Sequence, residues 1–186
     1  KLFIDKKTKP PKTIASMISS AKNELIGPAQ YANMGTGPLH NATAKVFPTY
    51  ERILKDNCAL DFDDLIAKTV KMLEKDDSIR DKWRSQFQYV MIDEYQDTNA
   101  AQYRLVKLLT NDKHNLAVVG DDWQSIYSWR GADFRNILNF EKDYPKATII
   151  KLEQNYRSSK AILDAAHAVI TKNKQRSDKK PIALSW

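Results

Sequence analysis

The apolar positions change their period once along the chain, near residue 88. Before that point they recur at helical spacing. Ile14, Met17, Ile18, Ala21 and Leu25 follow the Pro10-Pro11 break and predict one helix, which Gly27-Pro28 should stop. Residues 29–40, with Gly35, Gly37 and Pro38, read as a loop. Ala44, Phe47, Tyr50, Ile53 and Leu54 predict a second helix over about 41–56, with Pro48 as a kink or a later start. A third helix should begin near Asp61, its candidate cap, with Asp64 three residues on and Leu65, Ile66, Val70 and Leu73 as its stripe. Ser78 is the candidate cap of a short further helix carrying Ile79 and Trp83.

After Phe87 the apolar residues come in short β-branched runs. Tyr89-Val90-Met91-Ile92, residues 116–121 and residues 147–152 predict three strands. Helical spacing returns between and after them, over 101–109, 134–140 and 159–170, and Ile182-Ala183-Leu184 starts a further strand. Strands alternating with helices imply parallel pairing through crossovers. The helical part should give way to the sheet within 58–88, with a second boundary near Leu152.

Composition narrows the class. A chain of 186 residues holds one domain, or one with an inserted subdomain. It is 42% hydrophobic and 28% charged, as globular proteins are. No apolar run is long enough to cross a bilayer, so no membrane partner is expected. Lys1-Leu2-Phe3-Ile4-Asp5 is too short an apolar start for a secretory signal, and a cytoplasmic location is the expectation. The single cysteine, Cys58, has no disulfide partner and reads as a small buried hydrophobe in a reducing compartment; with three scattered histidines it makes no zinc pattern. The net charge of +7 permits a polyanionic partner. Its lysines and arginines gather at Lys1, Lys6, Lys7, Lys9 and Lys12, and again at Lys172, Lys174, Arg176, Lys179 and Lys180.

A polar cluster follows each expected strand: Asp93-Glu94-Tyr95-Gln96-Asp97, then Gly120-Asp121-Asp122-Trp123-Gln124-Ser125, then Glu153-Gln154-Asn155-Tyr156-Arg157. In one parallel sheet all three would line the carboxyl edge, where α/β proteins hold ligands. Asp93 and Glu94 offer hard oxygen ligands or a base. Gln124 can hydrogen-bond a phosphate or a water without adding charge. Arg157 can meet a phosphoryl group in bidentate fashion, or pair with Glu153 or Asp97. Tyr156 suits a packed aromatic as well as a ring stacked on a base. In Ser125-Ile126-Tyr127-Ser128-Trp129-Arg130-Gly131, aromatics beside an arginine suit stacking on single-stranded bases, although a lone tryptophan is more often core.

These segments, from Asp93 to Asn99, Val119 to Ala132 and Leu152 to Ser158, resemble motifs II, III and IV of UvrD/Rep-type superfamily 1 DNA helicases in order and spacing. Ala59-Leu60-Asp61-Phe62-Asp63-Asp64-Leu65 resembles the segment that returns that family's chain from an inserted helical subdomain to its first motor domain. Pro11 to Pro28 looks like part of the insertion. The resemblance implies a partial P-loop NTPase (RecA-like) α/β fold with a parallel sheet and an attached all-helical subdomain. It implies an insertion over 1–58, the second half of the first motor domain over 59–152, and the start of a second motor domain over 153–186. It also implies roles: Asp93 for Mg2+, Glu94 for activating water, Gln124 for coupling the γ-phosphate to DNA, Tyr127 and Trp129 for the single strand, Arg130 for linking the two sites, Tyr156 for stacking on adenine and Arg157 for the γ-phosphate. The activity implied is ATP-driven 3′ to 5′ movement on single-stranded DNA with unwinding of duplex ahead, serving repair or replication. Trp123 departs from the family, which often has a polar or charged residue there.

No Gly-Lys-Ser or Gly-Lys-Thr occurs in the chain, so the phosphate loop of the family is missing from it. The expectation is therefore a fragment of a longer helicase, partnered by the remainder of that chain and by single-stranded and duplex DNA, and inactive as an ATPase alone. Three other readings stand beside it: a noncatalytic single-strand-binding fragment using Trp129, Arg130 and the basic ends, the motor of a helicase–nuclease, and a structural piece that self-associates.

Overall fold

A computed structural model describes residues 7–113, 115–172 and 182–183. Helix α1 (Pro11–Asn23) starts with proline at its first position, where no intrahelical N–H is needed. It ends two residues before Leu25, which enters the left-handed region at φ 61°, so Leu25 closes the turn rather than extending the stripe. The Ile26 N–H then donates back to the Ala21 carbonyl at 2.8 Å, and the Ile26 side chain enters the core.

The predicted loop over 29–40 is wrong in part. Pro28 does not stop a helix; it opens one, α2 (Pro28–Ala32). Tyr31 of α2 stacks on His40 at 4.6 Å and meets Phe47 edge-on at 6.0 Å. Pro38 likewise opens α3 (Pro38–Asp56), which runs straight through Pro48. Ile14, Ile18, Ala21, Tyr31, Ala42 and Phe47 form one core among these helices. Cys58 is exposed, against expectation, in the left-handed turn after α3 at φ 49°.

Asp61 caps α4 (Phe62–Lys75) as its spacing predicts, accepting from the Asp64 N–H at 2.8 Å. The cap of α5 (Asp77–Gln86) is Asp76, which accepts from the Ile79 N–H at 3.0 Å; Ser78 lies inside the first turn. Asn99 and Gln102 form a reciprocal capping box at the start of α6 (Ala100–Leu109). A second core joins Val70 and Leu73 of α4 to Leu108 of α6, with Ile79 and Trp83 of α5 against it.

Strand β1 (Val90–Ile92) pairs in parallel with β2 (Leu116–Val118), with α6 as the crossover. The helix predicted over 134–140 is two single turns, α7 (Arg135–Leu138) and α8 (Phe140–Asp143), separated at Asn139. The strand predicted over 147–152 does not form: no strand among the described residues pairs with this apolar run, and Leu152 is 87% exposed. Instead β3 (Gln154–Asn155) pairs in parallel with β4 (Ile182–Ala183) in a second two-stranded sheet, beside α9 (Lys160–Ile170). The chain is thus mostly helical with a small open parallel sheet, in keeping with part of a RecA-like fold carrying a helical subdomain. No described helix is long and apolar enough to cross a membrane.

One buried cation fastens α1 to α3 and α4. Lys22, 5% exposed, reaches Glu51 at 2.6 Å, Asp61 at 2.7 Å and Asp64 at 3.0 Å. Burial alone would lower its pKa, but the bonds to Asp61, Glu51 and Asp64 hold it above the ordinary lysine range. Burial would raise the pKa of Asp61; Lys22, the Asp64 N–H and the Tyr50 hydroxyl hold it below the usual carboxylate range.

Candidate nucleotide and nucleic-acid site

The parallel pairing sets the geometry of the first two polar clusters. The ladder continues past β1 and β2, with Val119 N–H donating to the Ile92 carbonyl at 2.8 Å and Tyr95 N–H to the Val119 carbonyl at 3.0 Å. The chain then has to leave the strand sharply. Glu94 makes that turn in the left-handed region, φ 50° and ψ 44°, where a side chain costs about 1–2 kcal/mol. Asp93 supports it by accepting the Glu94 N–H at 2.9 Å. Both carboxylates are exposed at the strand end. Below them the buried Tyr95 ring packs edge-on against Phe140 at 5.7 Å and anchors the turn.

The second cluster is tied to the first. Gln96 is buried and hydrogen-bonded to both Glu94 and the backbone of Asp121. Asp121 in turn accepts the Trp123 N–H at 2.9 Å and the Gln124 side-chain amide at 2.8 Å. Further along, Tyr127 and Trp129 lie 6.4 Å apart, and Trp129 is 71% exposed. Arg130 ends that short turn; its side chain lies outside what the structure describes. Gly131 follows at φ 83°, a conformation that favours glycine. The loop is fastened back to the first cluster by Thr98, whose carbonyl accepts from the Asp133 N–H at 3.0 Å and the Asn136 amide at 3.1 Å. Asn99 ties the same place to the helices, donating to Asn23 at 2.9 Å, and Asn23 donates to Asp63 at 3.2 Å.

The third cluster does not share this edge. Gln154 and Asn155 are themselves the strand β3 of the other sheet. Tyr156 is exposed, its hydroxyl donating to Gln154 at 3.0 Å. Among the described residues no hydrogen bond or ion pair joins Tyr156 or Arg157 to Asp93, Glu94 or Gln124, and Arg157 pairs with neither Glu153 nor Asp97. Trp123 does bridge toward this part, its ring 5.4 Å from that of His167 on α9. Of the basic ends, Lys7, Lys9, Lys12 and Lys172 are described; Lys1, Lys6, Lys174, Arg176, Lys179 and Lys180 lie outside the described residues.

The family described as UvrD/REP helicase N-terminal domain matches residues 1–145. The chain belongs to that family. Curated relatives that it resembles include ATP-dependent DNA helicases named PcrA. That of Leuconostoc citreum is 49% identical over 179 residues, 96% of this chain and 24% of its own length. That of Bacillus subtilis (strain 168) is 49% identical over 176 residues, and that of Staphylococcus aureus (strain COL) is 51% identical over 176, each covering 95% of this chain and 24% of the relative. The chain therefore spans about a quarter of the length of these relatives.

Gln96 and Lys22 are the residues that sequence reasoning left without a role. Both act across long sequence separations, Gln96 on Asp121 and Lys22 on Asp61. No local spacing announces such a pair. The only available signal was that each lies inside a segment carrying the family resemblance.

Proposed function

We propose that this chain is part of an ATP-dependent DNA helicase that moves 3′ to 5′ along single-stranded DNA and separates duplex ahead of it. One observation carries the reading most: the Glu94 carboxylate at a parallel strand end is hydrogen-bonded through Gln96 to the loop that presents Tyr127 and Trp129. Water activation and single-strand contact would thus share one framework. The names of the curated relatives support ATP dependence and DNA as substrate.

The residues present suit Mg2+ bound together with a nucleotide. Asp93 and Glu94 are adjacent exposed carboxylates, and Mg2+ commonly takes one or two carboxylates plus phosphates and waters. A dedicated cage of three or more ligating side chains is absent among the described residues, as such a shared site requires none. Bound Mg2+ would neutralise charge on the β- and γ-phosphates. Asp93 would hold it. Glu94 accepts the proton of the water that attacks the γ-phosphorus directly; the bond from that phosphorus to the β,γ-bridging oxygen breaks and ADP leaves, with no covalent enzyme intermediate. Gln124 hydrogen-bonds the γ-phosphate, Arg157 offsets its charge, and Tyr156 stacks on adenine. Tyr127, Trp129 and Arg130 hold the single strand. Residues 1–58 are the inserted helical subdomain, 59–152 belong to the first motor domain and 153–186 open the second; the separate β1–β2 and β3–β4 sheets support that division. A cytoplasmic location goes with this reading.

In the complete protein, Glu94→Gln should lower DNA-stimulated ATP turnover by about a hundredfold or more while leaving ATP binding in place. Turnover equal to that of the unchanged protein would sink the assignment. The 186-residue chain has no Gly-Lys-Ser/Thr, and alone it should turn over little or no ATP. It should still bind single strands in a salt-dependent way, and Trp129→Ala should weaken that binding by about 1–3 kcal/mol.

A further inference from the structure

Gln96 is 1% exposed, and every polar atom of its side chain is used. Its amide nitrogen donates to Glu94 Oε2 at 2.7 Å and to Asp97 Oδ2 at 3.3 Å. Its amide oxygen accepts from the Asp121 N–H at 2.9 Å. Carboxylates only accept and a backbone N–H only donates, so a flipped amide would lose all three bonds. The backbone makes room for it: a Cβ at Gly120 would sit 2.6 Å from that amide oxygen and 3.2 Å from the Tyr95 nitrogen. On the far side, Asp121 Oδ2 accepts from Gln124 Nε2 at 2.8 Å. An unbroken hydrogen-bonded line therefore runs from Glu94 through Gln96 and Asp121 to Gln124.

We propose that Gln96 is a positioning residue that aims the Glu94 carboxylate and links its aim to the loop carrying Gln124, Tyr127 and Trp129. The proposal rests on the reading of Glu94 as the water-activating group. Glu94 is exposed, and the Gln96 amide is the only side chain hydrogen-bonded to its carboxylate among the described residues. A shift of the second loop as a strand binds at Trp129 moves the Asp121 N–H. That movement passes through one rigid, buried amide to the group that must face the attacking water.

The test uses the complete helicase chain, with ATP turnover measured against pH, with and without a single-stranded oligonucleotide. Gln96→Glu is nearly isosteric and sets two carboxyl groups against each other. They will share a proton, so the acid limb of kcat should move up by about one pH unit or more while KM for ATP stays within about twofold. Gln96→Leu keeps the bulk and removes the amide; kcat should fall about tenfold or more, and so should the ratio of DNA-stimulated to unstimulated turnover. A purely structural role would move neither the acid limb nor that ratio in a folded variant. If Gln96→Leu fails to fold, the ratio of DNA-stimulated to unstimulated turnover in Gln96→Glu, which loses the amide donor to Glu94 and should fall likewise, decides alone. An unshifted limb together with undiminished DNA stimulation overturns the proposal, provided Glu94→Gln is inactive. If Glu94→Gln keeps its turnover, the reading of Glu94 falls and takes this proposal with it.

Discussion

Two groups of charged side chains in this molecule are finished in opposite ways. At the helical junction Lys22 is enclosed, and three carboxylates within 3.0 Å answer its charge. At the strand end Asp93 and Glu94 stand exposed, and the only side chain bonded to the Glu94 carboxylate among the described residues is one buried amide. The backbone differs in the same sense. The junction carboxylates sit on or beside regular helices, whereas Glu94 holds a left-handed turn that side chains avoid. A cation enclosed among partners from several helices is what a fixed joint requires. Carboxylates held in place yet open to solvent are what a ligand site requires.

The strongest way to break that contrast is to remove the joint's cation. Lys22→Met keeps the side-chain stem but leaves Asp64, Asp61 and Glu51 facing one another, with Lys68 as the remaining cation at 2.9 Å from Asp64. Loss of one partner from a buried cluster costs about 3–5 kcal/mol, read as a lower midpoint in chemical unfolding of the chain. A loss under about 1 kcal/mol would mean that the cluster is no joint. The pH dependence sharpens the same point. Asp61 has a folded pKa below its unfolded value, so its contribution is present above about pH 3.9 and is lost as pH falls through the lower, folded value. Lys22 has a folded pKa above its unfolded value, so its contribution is complete below about pH 10.4 and is lost as pH rises through the folded value. The stability gap between the unchanged chain and Lys22→Met should therefore narrow at both extremes and stay flat between them.

At the strand end the largest structural effect should come from Gly120→Ala. The added methyl would lie 2.6 Å from the Gln96 amide oxygen and 2.9 Å from Ile137. Relief requires the first two loops to part, at about 1–3 kcal/mol. Unfolding midpoints give that cost directly. A neutral substitution would show that Gln96 and the Asp121 loop are not pressed together as described.

The same contrast explains what the sequence could reveal. Helices α1, α3, α4 and α6 and strands β1 and β2 follow local periodicity, and the adjacent acids after β1 are plain in the chain. Prolines misled: Pro28 and Pro38 looked like breaks and are first residues of helices, because a missing N–H is harmless there. The apolar run over 147–152 looked like a strand, but a strand is defined by a neighbour, and none of the strands among the described residues supplies one. That removed the third polar cluster from the shared sheet edge. Cys58 was misjudged: it sits exposed in the left-handed turn after α3. Lys22 and Gln96 were silent for a related reason: each acts on a partner far along the chain, Lys22 on Asp61 39 residues away and Gln96 on Asp121 25 residues away.

The smallest effect separates two neighbouring caps. Asp76 and Ser78 are both residue types that favour a helix start, and only geometry chooses between them. Asp76 accepts the Ile79 N–H at 3.0 Å, while Ser78 lies two residues later, already inside the first turn. Asp76→Ala should cost about 1 kcal/mol, within the usual range for a lost N-cap. Ser78→Ala removes a poorer helix former from the first turn and should change stability by about 0.5 kcal/mol or less, in either direction. Measured side by side by thermal or urea unfolding, the pair tests whether α5 begins where the hydrogen bond says it does. Equal losses would place the start of the helix at the wrong residue. The consequence reaches beyond α5, because Ile79 and Trp83 pack on the core that holds α4 against α6, the crossover between the two strands of the candidate site.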